Sequence, residues 1–533
     1  MKRIRPGLLA AVLAAGLFAG CASMGGGRLV ADPGGRFSFE AGPELVAVPG
    51  DETLFHYRME DRGIDTFVVV QPARIEEEGV EQTLRRVGVD PAALALAGST
   101  SFGDWEARRL VGNGRDLSVA IAYQMRGDAV YSVVVTGGAN SMPGDPPGAV
   151  MRMLSSFTFT EAAGRIPVPR TREDLEALVR RSAEARGGSI SLAAVRDGRI
   201  IYRYAAGADR IDRAASMDTA YHWGSMTKLV TAVAVMQLAE RGLVDLDAPV
   251  ARYLPVFPRE LGIRVIDLLD HSSGLPEREV LRLIAYADHP LPGLEQALAQ
   301  YLAGVDRLDF MPGTRSEYCN WNYLALGVLI ERVTGKPYAL SVTESVLRPA
   351  GMTHTSFRHD DLPQGTPLAS AVIPKQRETD LLAAVNRGLP GHDTQSLVSA
   401  RSGDFTFLAD FDIIAPWGGL TGPADDVARF LWTSMDADAA KGAWGLSRAA
   451  GDRMQRMQRS RDGRPLGRGI GWVLRKEKGE TIAEHAGGGP GIDTLMRMYP
   501  SRRLGIVVMG NINDYGQARI LSAAAEILAA EGR

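Results

Sequence analysis

Tyr221-His222-Trp223-Gly224-Ser225-Met226-Thr227-Lys228 opens a segment that runs to Arg241, with Gly242 placed to stop it. Leu229, Val230, Val233, Ala234, Met236 and Leu238 make it apolar nearly all round, the pattern of a helix buried inside a domain. A lysine has little reason to sit there, because an ammonium taken out of water is costly unless something pairs with it. Ser225 and Lys228 are three residues apart, hence one turn apart on one face with the amine in reach of the hydroxyl. Desolvation lowers a lysine pKa, and a neutral amine can take the serine proton. Ser225 also falls at the helix start, where unpaired N–H groups and the dipole favour a developing oxyanion. Read alone, the same spacing also describes a serine cap with a lysine reaching for the surface.

Two later groups decide between these readings. Tyr318-Cys319-Asn320 follows Met311-Pro312-Gly313, and His485-Ala486-Gly487-Gly488 closes a strand-like stretch near the end of the chain. Ser-x-x-Lys, Tyr-x-Asn and a basic residue-x-Gly, in that order, resemble the three active-site motifs of the serine β-lactamase and penicillin-binding-protein superfamily. The tyrosine form of the middle motif is similar to the class C branch, with its D-alanyl-D-alanine peptidases and family VIII esterases. Residues 268–276, Pro312-Gly313-Thr314, residues 322–327 and Gly418-Gly419-Leu420 also look like that family, so the likeness spans about residues 170 to 530.

The resemblance implies an α+β fold: a five-stranded antiparallel sheet flanked by helices, with a mostly helical lobe across a cleft. It implies Ser225 as nucleophile, Lys228 as its activating base, Tyr318 as proton relay and Asn320 as a holder of a substrate amide or carbonyl. The third motif, His485 to Gly487, would line the substrate site, and the backbone N–H groups of Ser225 and Gly488 would form the oxyanion hole. Two positions depart from the family. Many relatives begin the third motif with lysine where this chain has His485, and Asp270 stands where relatives often carry a neutral residue. An imidazole titrates near pH ~6.5, so a carboxylate held at His485 is expected to bind worse as pH rises through that region. His271, beside Asp270 in a Ser-Ser-Gly turn context, reads as structural.

At 533 residues the chain exceeds what one core usually supports, and a net charge of -3 with mixed signs gives no reason to expect nucleic acid as a partner. Lys2, Arg3 and Arg5 precede an apolar run from Leu8 to Ala19, the layout of a signal peptide over residues 1–20. Leu17-Phe18-Ala19-Gly20-Cys21 resembles a bacterial lipobox, so Cys21 is expected to carry a lipid that tethers an exported protein to a bacterial membrane. The chain has two cysteines, which leaves Cys319 as a free thiol if Cys21 is acylated.

Residues 28–160 read as a small α+β domain, with strands near 66–70, 118–124 and 130–136, helices near 80–87 and 148–154, and no catalytic cluster. Residues 161–170, carrying Pro167 and Pro169, read as a connector, and 171–533 as the hydrolase domain. In that domain a helix is expected from 173 to 186, strands at both ends, and a closing helix over 518–529. Asp197-Gly198 suits a hairpin turn, and residues 357–415 read as a loop-rich rim.

No Gly-x-Ser-x-Gly, His-Glu-x-x-His or cysteine cluster offers a competing site, and neither cofactor nor metal is expected. His354, His359 and His392 read as scattered loop histidines. The sequence therefore points to a serine hydrolase forming an acyl-enzyme on an ester or amide. A true β-lactamase or D-amino-acid peptidase, and a binding module that keeps the pocket without turnover, remain open.

Overall fold

The computed structural model describes residues 169–531, apart from 279–282, 286–289, 389–392, 478 and 514. Before these it describes residues 28–31, 37–41, 46–48, 54–59, 64–72, 94–102, 105–112, 118–126, 129–137 and 158–159, with Val80, Thr83, Leu84, Val87 and Val89. Cys21, His392, the signal-like segment and the 148–154 stretch lie outside the described residues. The chain divides into two compact units, Met1–Pro167 and Val168–Arg533.

In the first unit a seven-stranded antiparallel sheet runs, from edge to edge, Val46–Val48, Leu54–Met59, Ile64–Pro72, Ala129–Gly137, Ser118–Arg126, Trp105–Gly112 and Leu94–Phe102. Val119, Ile121, Tyr123, Val130 and Val134 pack with Val80 and Leu84 into one core. Trp105 is buried in that sheet.

The second unit is built on a sheet that both ends of the unit complete. Ser189–Arg196 pairs with Leu504–Gly510 in an antiparallel ladder from Ile190↔Gly510 to Arg196↔Leu504. The period-two rule sorts the side chains: Ile190, Leu192, Ile506 and Val508 enter one core, and Ala193, Val195, Val507 and Met509 the other. The first core also contains Leu175, Leu178 and Val179 of the helix Arg172–Ala185 and Ile520, Leu521, Ala524 and Leu528 of the helix Gln517–Glu531. Thr171 starts the former helix, its hydroxyl accepting the Asp174 N–H in a capping box. The hairpin between Ser189–Arg196 and Arg199–Arg210 turns on Asp197 and Gly198, both at positive φ (48° and 76°).

The full order is Arg213–Ala214, Arg199–Arg210, Ser189–Arg196, Leu504–Gly510, Ile492–Tyr499, Glu480–Gly489 and Val473–Glu477. The five strands expected from the resemblance are thus extended by one short strand at each edge. Residues 357–415 are also more ordered than a loop-rich rim. They contain the helix Lys375–Gly388 and a three-stranded sheet of Val372–Pro374, Phe405–Leu408 and Val398–Ser402. Strands of three to five residues between Gly and Pro carry too short a period to stand out in sequence.

Candidate active site

The Ser-x-x-Lys segment enters its helix through a 3₁₀ turn, Gly224–Met226, and continues as the helix Thr227–Glu240. That helix shares one hydrophobic core with the helix Asn320–Thr334, and every residue from Thr227 to Leu238 is buried. Its polar groups are met by the short helical turn Ala415–Gly418 and by Leu420 just beyond it. Thr231 Oγ1 donates to the Pro416 carbonyl at 2.6 Å, Lys228 Nζ to the Trp417 carbonyl at 3.0 Å, and the Leu420 N–H to Thr227 Oγ1 at 3.2 Å. The lysine is thereby held in place although it is 0% exposed.

Lys228 Nζ also lies 3.0 Å from Ser225 Oγ, and Ser225 Oγ lies 2.6 Å from Tyr318 Oη. Burial pulls the lysine down to about 7, with Glu277 and Cys319 opposing and Arg468 adding to the effect. The Tyr318 residue is 36% exposed, but the protein packed around its hydroxyl raises the phenol above its ordinary range. Near neutral pH the two groups therefore differ in kind: the amine is available as a base, and the phenol carries its proton.

His271 sets the position of the tyrosine. Held at φ 58°, it stacks on Tyr318 with ring centroids 4.7 Å apart, and its Nδ1 accepts the Cys319 N–H at 3.1 Å. That bond places the ring proton on Nε2. Desolvation holds the imidazole well below its usual pKa, so it supports Tyr318 as a neutral group. Asn320 is fixed by an acid that the sequence reading passed over. Glu277 accepts from the Asn320 N–H at 2.6 Å and from its Nδ2 at 2.9 Å. The amide oxygen is left towards Tyr318, whose hydroxyl is 3.4 Å away. Cys319 between them is a buried free thiol.

The strand Glu480–Gly489 passes directly behind the nucleophile. A Cβ on Gly224 would stand 3.1 Å from the Gly488 nitrogen, and one on Gly487 would stand 2.1 Å from the Trp223 carbonyl oxygen and 2.4 Å from Thr494 Oγ1. At Gly488 an added Cβ meets nothing within 4 Å. Only glycine at 487 lets the strand lie so close. Gly487→Ala is therefore expected to cost about 1–3 kcal/mol through the forced shift and to lower turnover by moving Gly488 away from Ser225. Gly488→Ala is expected to melt as wild type does. Thermal midpoints of the two variants check this, and a wild-type midpoint for Gly487→Ala would contradict it.

The structure brings Ser225, Lys228, Tyr318, Asn320, Gly487 and Gly488 into one place. It corrects the reading of His485. That side chain is 3% exposed, with Nδ1 2.7 Å from the Ala486 carbonyl oxygen, and burial pulls its pKa down to about 3, helped by the nearby Lys228. The ring is neutral throughout the range in which a free imidazole titrates, so it supplies no switchable cation to a substrate carboxylate. The loss of carboxylate binding expected as pH rises past that range has no source here. His359 is likewise not an isolated loop histidine: its ring lies 5.1 Å from that of His222, which stacks on Phe411. Among the described residues no cluster of three or more metal-ligating side chains occurs, and no helix is long and apolar enough to cross a membrane.

A serine one turn from a buried lysine, a tyrosine on the serine and a glycine-lined strand behind it define a β-lactamase/transpeptidase-like serine hydrolase. Residues 175–531 match the protein family described as Beta-lactamase, and the chain belongs to that family. Its relatives include penicillin-binding protein 4* of Bacillus subtilis (strain 168), 26% identical over 368 residues that cover 67% of this chain and 76% of that protein. Among solved structures, a penicillin-binding protein homologue from Pyrococcus abyssi superposes with a TM-score of 0.56 at 23% identity, covering 67% of this chain and 77% of that one. The D-amino acid amidase from Ochrobactrum anthropi SV3 gives 0.52 at 18% identity, covering 68% and 100%. At these identities the two structures speak for the fold.

Proposed function

We propose that the chain hydrolyses a small ester or amide through an acyl-enzyme on Ser225, with Lys228 as the general base. The observation that carries this is the continuous path Lys228 Nζ to Ser225 Oγ to Tyr318 Oη, at 3.0 and 2.6 Å, with a lysine brought down to about 7. Ser225 Oγ attacks the substrate carbonyl carbon while its proton moves to Lys228 Nζ. The oxyanion is received by the backbone N–H groups of Ser225 and Gly488. Tyr318 hands a proton to the leaving alcohol or amine and is resupplied from Lys228. Water then adds to the acyl carbonyl, gives up its proton along the same path, and Ser225 Oγ leaves with it.

A fluorophosphonate probe should label wild-type protein on Ser225 and leave Ser225→Ala unlabelled. An unlabelled wild type would favour a binding module that keeps the pocket without turnover. A second reading, hydrolysis of D-amino-acid peptides or β-lactams, is favoured by the relationship to the Bacillus penicillin-binding protein. Short-chain esters, D-alanyl peptides and a chromogenic cephalosporin, assayed side by side, separate the two readings.

The proposal extends to location: an exported protein tethered through a lipid on Cys21, on the strength of the basic, apolar and small-residue pattern before it. Cys21→Ala should shift the protein from the membrane fraction to a soluble form, and unchanged fractionation would rule the tether out.

A further inference from the structure

The Gly488 N–H that receives the oxyanion belongs to three consecutive glycines, Gly487 to Gly489, at the end of a strand. Glycine has no side chain to restrict its own backbone, so the placement of that N–H depends on what holds the chain from outside. On the Gly487 side the hold is a hydroxyl: Thr494 Oγ1 lies 3.1 Å from the Trp223 carbonyl oxygen and 3.3 Å from that of Gly487, tying the strand to the nucleophile turn. On the other side the ladder closes at Gly489↔Ile492, which leaves Pro490 and Gly491 as a two-residue turn. Proline keeps φ at about −65° and Gly491 has φ 62°, the sign pattern of a type II turn. Such a turn twists against its strands and splays a hairpin, whereas types I′ and II′ follow the twist. Unsupported, it would pull the strand ends apart next to the oxyanion donor.

Asn513 closes that turn. Its Oδ1 accepts the Gly491 N–H at 2.7 Å, and its Nδ2 donates to the Gly489 carbonyl at 2.8 Å and to the Ile492 carbonyl at 3.0 Å. One amide therefore binds both strand ends and the turn between them, with both Nδ2 hydrogens in use. The segment that carries it is anchored on either side. Two residues back, the Asn511 carbonyl accepts the Val372 N–H at 2.7 Å, and the Asn511 side chain accepts the Ser189 N–H at 2.6 Å and donates to the Ser370 carbonyl at 2.8 Å. Two residues on, Tyr515 Oη donates at 2.8 Å to the carbonyl of Asp493, the strand partner of Gly488. A Cβ on Gly491 would stand 2.6 Å from both Ala371 Cβ and the Val372 nitrogen, so the turn is also pressed against the neighbouring chain.

We propose that Asn513 is a positioning residue for the oxyanion hole: by clamping the Pro490-Gly491 turn it holds the Gly488 N–H where the developing oxyanion needs it. It acts through the backbone of Gly489 rather than on the substrate. This inference rests on the acyl-enzyme reading above. It makes the oxyanion hole depend on a side chain outside all three motifs, contributed by the segment that follows the strand Leu504–Gly510.

The test uses the full chain, a short-chain aryl ester and phenylboronic acid, whose tetrahedral adduct on Ser225 Oγ places one boron oxygen in the oxyanion hole. Asn513→Ala is expected to lower kcat by about tenfold to a hundredfold with KM within about twofold, since a displaced donor weakens the transition state and hardly the ground state. Affinity for the boronic acid should fall by about tenfold with it. A substitution that merely lowered the folded fraction would leave the affinity of the remaining active protein unchanged. Asn513→Asp supplies a conservative rescue. As a carboxylate it turns an acceptor towards two carbonyl oxygens, but once protonated it again offers one donor and one acceptor, and that setting favours the protonated form. Its kcat relative to wild type should therefore rise by about fivefold or more as pH falls from 7.5 to 5.5. An unchanged boronic acid affinity in Asn513→Ala, or a ratio for Asn513→Asp that stays flat with pH, overturns the proposal. If wild type neither hydrolyses the ester nor binds the boronic acid, the acyl-enzyme reading fails while hydrogen exchange still decides the clamp: amides of residues 487–491 exchanging at least about tenfold faster in Asn513→Ala support it, and unchanged exchange removes it.

Discussion

Ser225→Ala is expected to leave a folded protein with turnover reduced by about ten-thousandfold or more, since no second nucleophile can form the acyl intermediate. The variant removes one oxygen at a half-buried position, so the fold has little to lose. The Lys228 amine keeps its bond to the Trp417 carbonyl, and Tyr318 keeps its stack on His271. The hole left by Oγ is open towards the substrate side and can hold water. A thermal midpoint close to wild type together with lost ester hydrolysis is the expected pair of results. Hydrolysis at the wild-type rate by Ser225→Ala would place the nucleophile elsewhere and end the proposed mechanism.

The parts of this site that were legible in the sequence are those in which chemistry demands a residue type at a fixed spacing. A buried lysine one turn from a serine contradicts the apolar helix around it, and Tyr-x-Asn and His-x-Gly-Gly recur in the family order. The anchor for the lysine was not legible, because a backbone carbonyl such as that of Trp417 leaves no residue-type signature. Glu277 and Arg468 were hidden for a different reason: among 63 acidic and 60 basic residues, neither sits at a spacing that separates it from the solvated majority. Each becomes distinctive only when the fold shows it beside Asn320 or Tyr318.

His485 shows the same limit from the opposite direction. Its residue type suggests a titrating group, and its position in the third motif suggests contact with substrate. What decides its chemistry is the burial on which its neutral state depends, a property of the strand Glu480–Gly489 packed against the 3₁₀ turn. For the fold, alternation and turn chemistry located the strands at both ends of the second unit. The helix Lys375–Gly388 was missed because it opens on Lys375, Gln376, Arg377 and Glu378 between Pro374 and Pro390, which reads as a polar connector.

Turnover is expected to rise with pH, climbing about tenfold per unit below pH 7 and levelling above it, because Lys228 must be neutral to take the serine proton and burial brings it to about 7. An unperturbed lysine near 10.4 would be neutral in only about one molecule in 2,500 at pH 7, so burial is worth roughly a thousandfold in available base. Tyr318 gives no such rise, since its pKa is pushed up rather than down. The same shift has a stability consequence of definite sign. The folded lysine is depressed below its unfolded value, so between about pH 7 and 10.4 the unfolded chain binds more protons and stability increases with pH; below about 7 the full cost, on the order of 5 kcal/mol, is present. Lys228→Met removes the burden along with the base. It is expected to cut turnover by at least about a hundredfold, and to raise the thermal midpoint at pH 6 by more than at pH 9, offset in part by the unpaired Trp417 carbonyl. Arginine cannot substitute, because it does not deprotonate. Melting and kinetics of wild type and Lys228→Met across pH 5.5 to 9.5 test both consequences: a wild-type profile without an inflection near 7, or a midpoint difference that grows with pH, would show that Lys228 is not the base held neutral by burial.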